Sequence, residues 1–172
     1  MRRLWGLLLL LAIAACGSPG VPLPTGMEVV YLALDGQADV SRAVQPSAVL
    51  SDEVDPASLA QGVLLLHASY EWTPSDGGAT SLRCGTAEGR GWSQESITPA
   101  VTGTDRRTVT VAPAAPLQAD RCYRLVLTTA LKGTTQGNLK NPSRSVVMQD
   151  ADGRALTAHP VGAFSQFLTA AN

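Results

Sequence analysis

The strongest constraint on the fold lies in residues 107–131, RTVTVAPAAPLQADRCYRLVLTTAL. Its first part, residues 108–111, is four consecutive β-branched side chains, which suit a pleated strand and disfavour a helix. In residues 122–128 the side chains alternate between two faces with the period of a strand. Pro113 and Pro116 separate the two parts, because proline cannot donate to a β-ladder. The stretch predicts a hairpin of two strands with a Pro-rich connection.

Strand-like segments recur along the rest of the body, separated by turns rich in Gly and Pro. They are residues 27–34, 44–50, 62–70, 81–84, 146–156 as a hairpin, and 163–169. Pro46 favours an edge position or a bulge for the second segment, and the apolar run at 62–70 indicates a strand covered on both faces. About seven or eight short strands predict an all-β fold, an antiparallel sandwich.

The N-terminal residues have the pattern of an export signal. Residues 1–15 carry Arg2 and Arg3 before an apolar run of about a dozen residues, too short to span a bilayer as a helix. The run ends in IAAC, residues 13–16, which resembles the bacterial lipobox. In lipoproteins of this kind the cysteine, here Cys16, carries diacylglycerol and often further acyl chains. The alternative is an ordinary secretory signal whose cleavage falls near a cysteine.

A lipidated Cys16 would have the lipid bilayer as its partner, since several acyl chains anchor a protein stably at about 0.8 kcal/mol per buried methylene. Residue 17 is Gly rather than Asp, so by the same resemblance the inner-membrane retention signal is absent and an outer-membrane location is expected. Residues 16–26 form the lipidated cysteine and a Pro- and Gly-rich tether, and residues 27–170 form the domain.

Charge excludes one class of partner. The chain has 13 basic and 14 acidic residues, and removal of Arg2 and Arg3 with the leader leaves 11 basic residues. Phosphate binding needs a clustered basic surface, and no such cluster is visible in the sequence. A nucleic-acid partner is therefore not expected.

Three segments of the chain, residues 50–59, 107–127 and 137–139, resemble parts of the SbsA-type bacterial Ig-like domain. Residues 50–59, LSDEVDPASL, resemble its F-S-x-x-V-D-P-x-T-L signature. Residues 107–127 are similar to its V-T-x-x-P-x-x-P-L…Y-x-V-x-L pattern, and residues 137–139 to its G-N-x-L turn, one residue short. The matches occur in the family's order. The resemblance implies an Ig-like sandwich in the cell envelope that serves a structural, adhesive or protein-binding role.

The chain departs from that family in two ways. Leu50 stands where the family commonly has Phe, and Thr134 where an Asp often sits. Residues 72–99 and 141–162 are longer than a minimal module needs, and insertions on a sandwich become surface loops, where function is usually placed.

The mature body contains one pair of cysteines. In an exported protein Cys84 and Cys122 are expected to form a disulfide that pins the 72–99 insertion to the central strands. The alternative is two unpaired thiols. Cys122 and Tyr123 lie on opposite faces of their strand, so the bridge requires the insertion to cover the second face.

Tyr123 resembles the tyrosine corner of β-sandwiches, six residues after Leu117. The pattern predicts that its hydroxyl hydrogen-bonds the backbone of the strand connection.

Three aromatic residues form the candidate ligand-binding set. Tyr70 and Trp72 are two residues apart and share a strand face, while Trp92 sits in a Gly-rich segment. If exposed, they would form a stacking platform for a glycan or an envelope protein. The alternative is that they pack over the end of the sandwich as part of its core.

No catalytic, metal or cofactor site is expected. The sequence has no G-x-S-x-G elbow and no Gly-rich phosphate loop. Asp150 and Asp152 resemble part of a calcium-binding loop. Positions one and twelve of that loop would be Met148 and His159, so two major ligands are missing and a hairpin turn is the better interpretation. His67 lies in an apolar run and is expected to be a hydrogen-bonded strand residue. A carbohydrate- or peptidoglycan-binding lipoprotein, or an accessory domain of an envelope enzyme system, remains the alternative function.

Overall fold

The structure, a computed structural model, describes residues 26–74, 80–86, 90–141 and 148–171. Within these residues the chain forms twelve β-strands, a 3-10 turn at Pro56–Ser58 and the single-turn helix α1 at Leu59–Gly62. The strands are β1 (Val29–Leu32), β2 (Ser47–Leu50), β3 (Val63–Ala68), β4 (Tyr70–Pro74), β5 (Thr80–Cys84), β6 (Ser93–Gln94), β7 (Ile97–Thr102), β8 (Thr108–Pro113), β9 (Cys122–Thr128), β10 (Lys132–Gly133), β11 (Gly137–Asn138) and β12 (Val161–Leu168). No helix within these ranges is long and apolar enough to cross a membrane.

Eight of the strands build two four-stranded antiparallel sheets. One sheet has the order β1-β2-β8-β7 and the other the order β12-β9-β3-β6. This is the strand order of an Ig-like sandwich, in which an ABED sheet faces a GFC sheet, here extended by one strand, β6. The prediction of an all-β, Ig-like antiparallel sandwich of seven or eight strands is therefore confirmed. The remaining strands form two short ribbons, β4-β5 and β10-β11.

The expected hairpin at residues 107–131 was wrong in its pairing. Both strands exist, but β8 pairs with β2 and β7, whereas β9 pairs with β12 and β3. The Pro-rich connection thus crosses from one sheet to the other. Alternation determines which face a side chain occupies but says nothing about which strand lies beside it. Leu117, in the crossing, is buried in the core between the sheets.

Two hydrophobic clusters lie on either side of the β12-β9-β3-β6 sheet. The inner core lies between the two sheets and includes Tyr123, Leu125 and Leu127 of β9. The outer cluster covers the opposite face of the same sheet. Its buried members are Leu64, Leu66, Ala68, Cys84, Trp92, Cys122, Val126, Met148, Val161 and Leu168. The prediction of a strand covered on both faces within residues 62–70 is confirmed for Val63–Ala68, because β3 contributes to both clusters, whereas Tyr70 begins β4.

Several edge and loop expectations need correction. Pro46 does not mark an edge, because β2 lies between β1 and β8. Pro46 directly precedes the strand, where no ladder donor is required, and its carbonyl accepts the Val111 N–H at 2.9 Å. β7 is not among the strands that the sequence predicts. It lies at the edge of its sheet beside β8, and none of its side chains is fully buried.

The expected hairpin around Asp150 is present in its described part. Residues 142–147, which include the start of that segment, lie outside the described residues. Gln149 and Ala155 form an antiparallel bridge. Asp150 Oδ1 accepts the N–H groups of Asp152 and Arg154 at 2.9 and 2.8 Å. The carboxylate of Asp150 therefore caps a turn.

Tyr123 forms the predicted tyrosine corner. Its hydroxyl accepts the backbone N–H of Gln118 at 2.8 Å and donates to Glu95 Oε1 at 3.1 Å. Burial raises the pKa of Tyr123 to about 12, and the neighbouring Glu95 carboxylate adds to the effect. The bond to Gln118 ties the sheet crossing to the start of β9.

Two carboxylates organise the loop that follows β2. Asp55 Oδ1 accepts the Ala57 N–H at 3.0 Å and caps the 3-10 turn, as its position before Pro56 predicts. Asp52 is only 5% exposed and joins this loop to the segment after β10. Its oxygens accept the N–H groups of Gln136 and Thr135 at 2.7 and 2.8 Å.

The Asp52 site requires a glycine beside it. A Cβ at Gly133 would lie 2.2 Å from Asp52 Oδ2, so only glycine lets the carboxylate reach these donors. Burial by itself would raise the pKa of Asp52, but the hydrogen bonds from Gln136 and Thr135 outweigh it and hold the pKa below its usual value of 3.8. The ionised carboxylate is therefore the form that the fold uses.

We expect Asp52→Asn to lower the free energy of unfolding by about 2 kcal/mol at pH 7, because the new amide N–H₂ would face backbone donors. Since the pKa of Asp52 is lowered on folding, its contribution is present above the unfolded value of 3.8 and is lost as the pH falls through the folded value. The difference between variant and wild type should therefore shrink at acidic pH. Urea unfolding at pH 7 and pH 3 measures both effects.

Asp55→Asn is the matched control, because asparagine is an equally good cap. It should unfold close to the wild type. Equal stability of the Asp52 variant and the wild type at pH 7 would contradict this account.

Candidate functional site

The two ends of the sandwich differ in what they carry. The chain enters at Met27, whose N–H donates to Asn138 at 3.1 Å, and we call this the proximal end. At the opposite, distal end, Cys122 opens β9 and pairs with both Leu168 and Ala68. Only Ser69 separates the end of β3 from Tyr70, so β4 begins at the distal end. Cys16 and the tether up to residue 25 lie outside the described residues.

Tyr70 and Trp72 form an aromatic pair at the distal end. Their ring centroids are 6.4 Å apart and their planes meet at 86°, an edge-to-face arrangement. Trp72 is 54% exposed, while Tyr70 is half-buried and packs against the outer cluster. The expectation that these two residues lie side by side agrees with their positions on β4.

Trp92 does not belong to a surface platform, so the candidate three-residue set is wrong for this residue, and the alternative of packing in a hydrophobic core holds for it. The Trp92 side chain is 1% exposed and forms part of the outer cluster. The physical reason is that the sheet leaves a second apolar face to cover, and a large indole fills that space. Trp92 therefore cannot stack on a ligand together with Trp72.

Arg124 was not recognised as a structural residue from the sequence. Its guanidinium carbon lies 4.4 Å from the centroid of the Trp92 ring and 4.5 Å from that of Phe164, so the cation sits between two rings. Its Nε and Nη2 donate to Gln166 Oε1 at 2.9 and 2.7 Å. Burial lowers the pKa of Arg124 to about 10. These contacts hold Trp92 against the outer face of the sheet.

Cys84 and Cys122 lie at disulfide-bonding distance, with their Cα atoms 5.8 Å apart and a sequence separation of 38. Closing a loop of this length stabilises a fold by roughly 4 kcal/mol on the chain-entropy model. Cys84 is the ladder partner of Tyr70 in the β4-β5 ribbon. The bridge thus attaches the ribbon that carries the aromatic pair to β9, and the insertion covers the second face of β9 as this pairing requires.

A small cleft lies beside the aromatic pair. We call it the distal cleft; its volume is about 270 Å³. It is lined by Ala38, Asp39, Tyr70, Trp72, Asp120, Leu168, Thr169 and Ala171. Asp39 and Asp120 come from two loops far apart in sequence, and both adopt left-handed backbone angles, with φ of 55° and 51°.

One hydrogen bond orders the distal cleft. The Tyr70 hydroxyl donates to Asp120 Oδ1 at 2.5 Å. This bond, together with burial and the negative charge of Asp39, raises the pKa of Tyr70. The phenol therefore stays protonated at neutral pH and keeps Asp120 beside the ring of Tyr70.

The two histidines, His67 and His159, were the other polar side chains weighed as possible ligands. His67 Nδ1 lies 2.9 Å from Glu95 Oε1, and its Nε2 lies 3.3 Å from Gln118 Nε2. His159 lies in the segment before β12. Among the residues that the structure describes, no group of three or more His, Cys, Asp or Glu side chains is placed to hold a metal ion.

The sequence matches no protein-family model and no curated protein. Two solved structures resemble the chain weakly, both at 11% identity: surface layer protein SbsC, domains 1–6, with a TM-score of 0.39, and the N-terminal part of the bacterial S-layer protein SbsC, with a TM-score of 0.38. Each comparison covers 84% of this chain, but only 14% and 24% of the respective SbsC chain. The chain thus spans a small part of these proteins.

The exposure of the two tryptophans predicts a clear fluorescence result. In a full chain carrying Trp5→Phe, acrylamide should quench Trp72 efficiently and Trp92 hardly at all. Adding Trp72→Phe should leave a blue-shifted, protected emission, because only the buried indole remains. Adding Trp92→Phe instead should leave a red-shifted emission that acrylamide quenches readily. Strong quenching in the Trp72→Phe variant would refute the buried position of Trp92.

Proposed function

We propose that the chain is a lipid-tethered protein of the bacterial envelope whose Ig-like sandwich serves as a non-catalytic structural, adhesive or protein-binding module. The acyl chains on Cys16 hold it to a bilayer, and the outer membrane is the proposed location. It uses no cofactor and contacts no nucleic acid. Residues 1–15 are the signal, residues 16–26 the lipidated cysteine and tether, and residues 27–170 the displayed domain.

The observation that carries this proposal is the end-to-end arrangement of the domain. The tether joins the sandwich at the proximal end, next to Asn138, whereas the exposed Trp72 lies at the distal end. Residues 17–26 span at most about 35 Å when extended, so they permit a short separation from the lipid surface. A domain held in this way presents its distal end away from the bilayer.

Two further features support the proposal, one concerning export and the other the non-catalytic role. Cys84 and Cys122 lie at disulfide-bonding distance, and disulfides persist in oxidising compartments such as the periplasm and the cell surface. The loop that resembles the SbsA-type signature has a structural role. Asp55 accepts a backbone hydrogen bond within the loop, and Asp52 accepts one from Gln136 in the segment after β10. Its carboxylates are therefore occupied by the fold and not by catalysis.

The second candidate is a carbohydrate- or peptidoglycan-binding lipoprotein, or an accessory domain of an envelope enzyme system. The exposed face of Trp72 favours a binding role of some kind. Burial of Trp92 removes one of the three rings on which a glycan platform would rely. Protein binding is therefore preferred over binding of an extended glycan.

Metabolic labelling tests the anchor. In a bacterium that processes lipoproteins, the wild-type chain should incorporate labelled palmitate and partition into the detergent phase of Triton X-114. Cys16→Ser should lose the label, because the acylated thiol is absent. Ser18→Ala is the control and should label like the wild type. Unchanged labelling of the Cys16 variant, or no label on the wild type, would overturn the proposed anchor.

A further inference from the structure

We propose that the distal cleft binds the positively charged side chain of a partner protein, a lysine ammonium or an arginine guanidinium. This inference rests on the proposed function in that it names the chemistry of the partner that a displayed module would meet. It concerns the cleft alone, however, and its test does not depend on the lipid anchor.

The walls of the cleft suit a cation. Tyr70 and Trp72 stand at 86° to each other with ring centroids 6.4 Å apart, so they form two sides of a corner. The faces of aromatic rings carry partial negative charge and attract ammonium and guanidinium groups, tryptophan most strongly. Because the ring of Trp72 is 54% exposed, a ligand can reach it without any rearrangement of the fold.

The charges of the cleft have the matching sign. Asp39 and Asp120 both line it, and none of its lining residues within the described part of the chain is basic. Asp120 is held in place by the hydrogen bond from the Tyr70 hydroxyl. A cation that enters the corner therefore meets two carboxylates as well as two rings, whereas an anion would be repelled.

The size of the cleft limits the ligand. Pockets that enclose drug-sized ligands measure about 300–1,000 Å³, and this cleft has a volume of about 270 Å³. It accommodates one side-chain head group better than a chain of sugars. The Cys84–Cys122 bridge, adjacent to Tyr70 in the β4-β5 ribbon, keeps the corner in position before binding.

Nuclear magnetic resonance of the tryptophan indole N–H groups can test this on the full chain in detergent micelles. Nα-acetyl-arginine amide is the cationic probe and Nα-acetyl-citrulline amide is its neutral isostere. The arginine probe should shift the Trp72 signal and leave the buried Trp92 signal unchanged. The citrulline probe should bind at least about tenfold more weakly, because it lacks the charge.

Variants locate the interaction. Trp72→Ala should weaken binding of the arginine probe about tenfold, followed through other shifted signals, while Trp72→Phe keeps a ring and should lose less. Asp120→Asn should weaken binding severalfold and reduce its dependence on salt. Asp105→Asn is the matched control, an exposed carboxylate in the β7–β8 turn at the proximal end, and should bind like the wild type.

Two results would overturn the inference. The first is equal affinity for the citrulline and arginine probes, and the second is the absence of any shift of Trp72 with the arginine probe. If a chitooligosaccharide shifts Trp72 in the second case, the cleft is assigned to glycans. None of these results would alter palmitate labelling at Cys16, so failure of the cleft is distinguishable from failure of the anchor.

Discussion

The rest of the structure depends on the burial of β9 on both faces. Its inward side chains, with Tyr123 first, fill the core between the sheets, and its outward side chains, with Cys122 first, lie under a second hydrophobic cluster. A sandwich sheet ordinarily exposes its outer face to water. Here that face is apolar, so the chain must supply a cover. The two long insertions provide it.

The cover explains where the exposed aromatic pair is placed. Trp92 fills the outer face, and the Arg124 guanidinium lies between its ring and that of Phe164. The Cys84–Cys122 bridge attaches the β4-β5 ribbon to the distal end of β9. The ribbon carries Tyr70, which packs against the outer cluster, and the exposed Trp72. The distal cleft is therefore a consequence of packing on a second face, together with two loops that contribute carboxylates.

Local pattern was sufficient for the strands and for some of their faces. The alternation in residues 122–128 correctly indicated a strand, and the apolar run of β3 correctly indicated a strand covered on both faces. The tyrosine corner followed from the spacing of Leu117 and Tyr123. Pairing was not predictable, because β8 and β9 join different sheets although they are neighbours in sequence. The distal cleft was not predictable either, since Asp39 and Asp120 meet only through the tertiary fold.

Hydrogen–deuterium exchange of the full chain, oxidised and reduced, tests this account most directly. In the oxidised protein the β9 amides should exchange among the slowest, because both neighbouring strands and both faces protect them. After reduction the β4-β5 amides should exchange faster, whereas β9 should stay slow through its pairing with β12 and β3. If β9 exchanges as fast as the edge strands β1 and β7, or if reduction leaves the ribbon unchanged, the central role of the covered strand is contradicted.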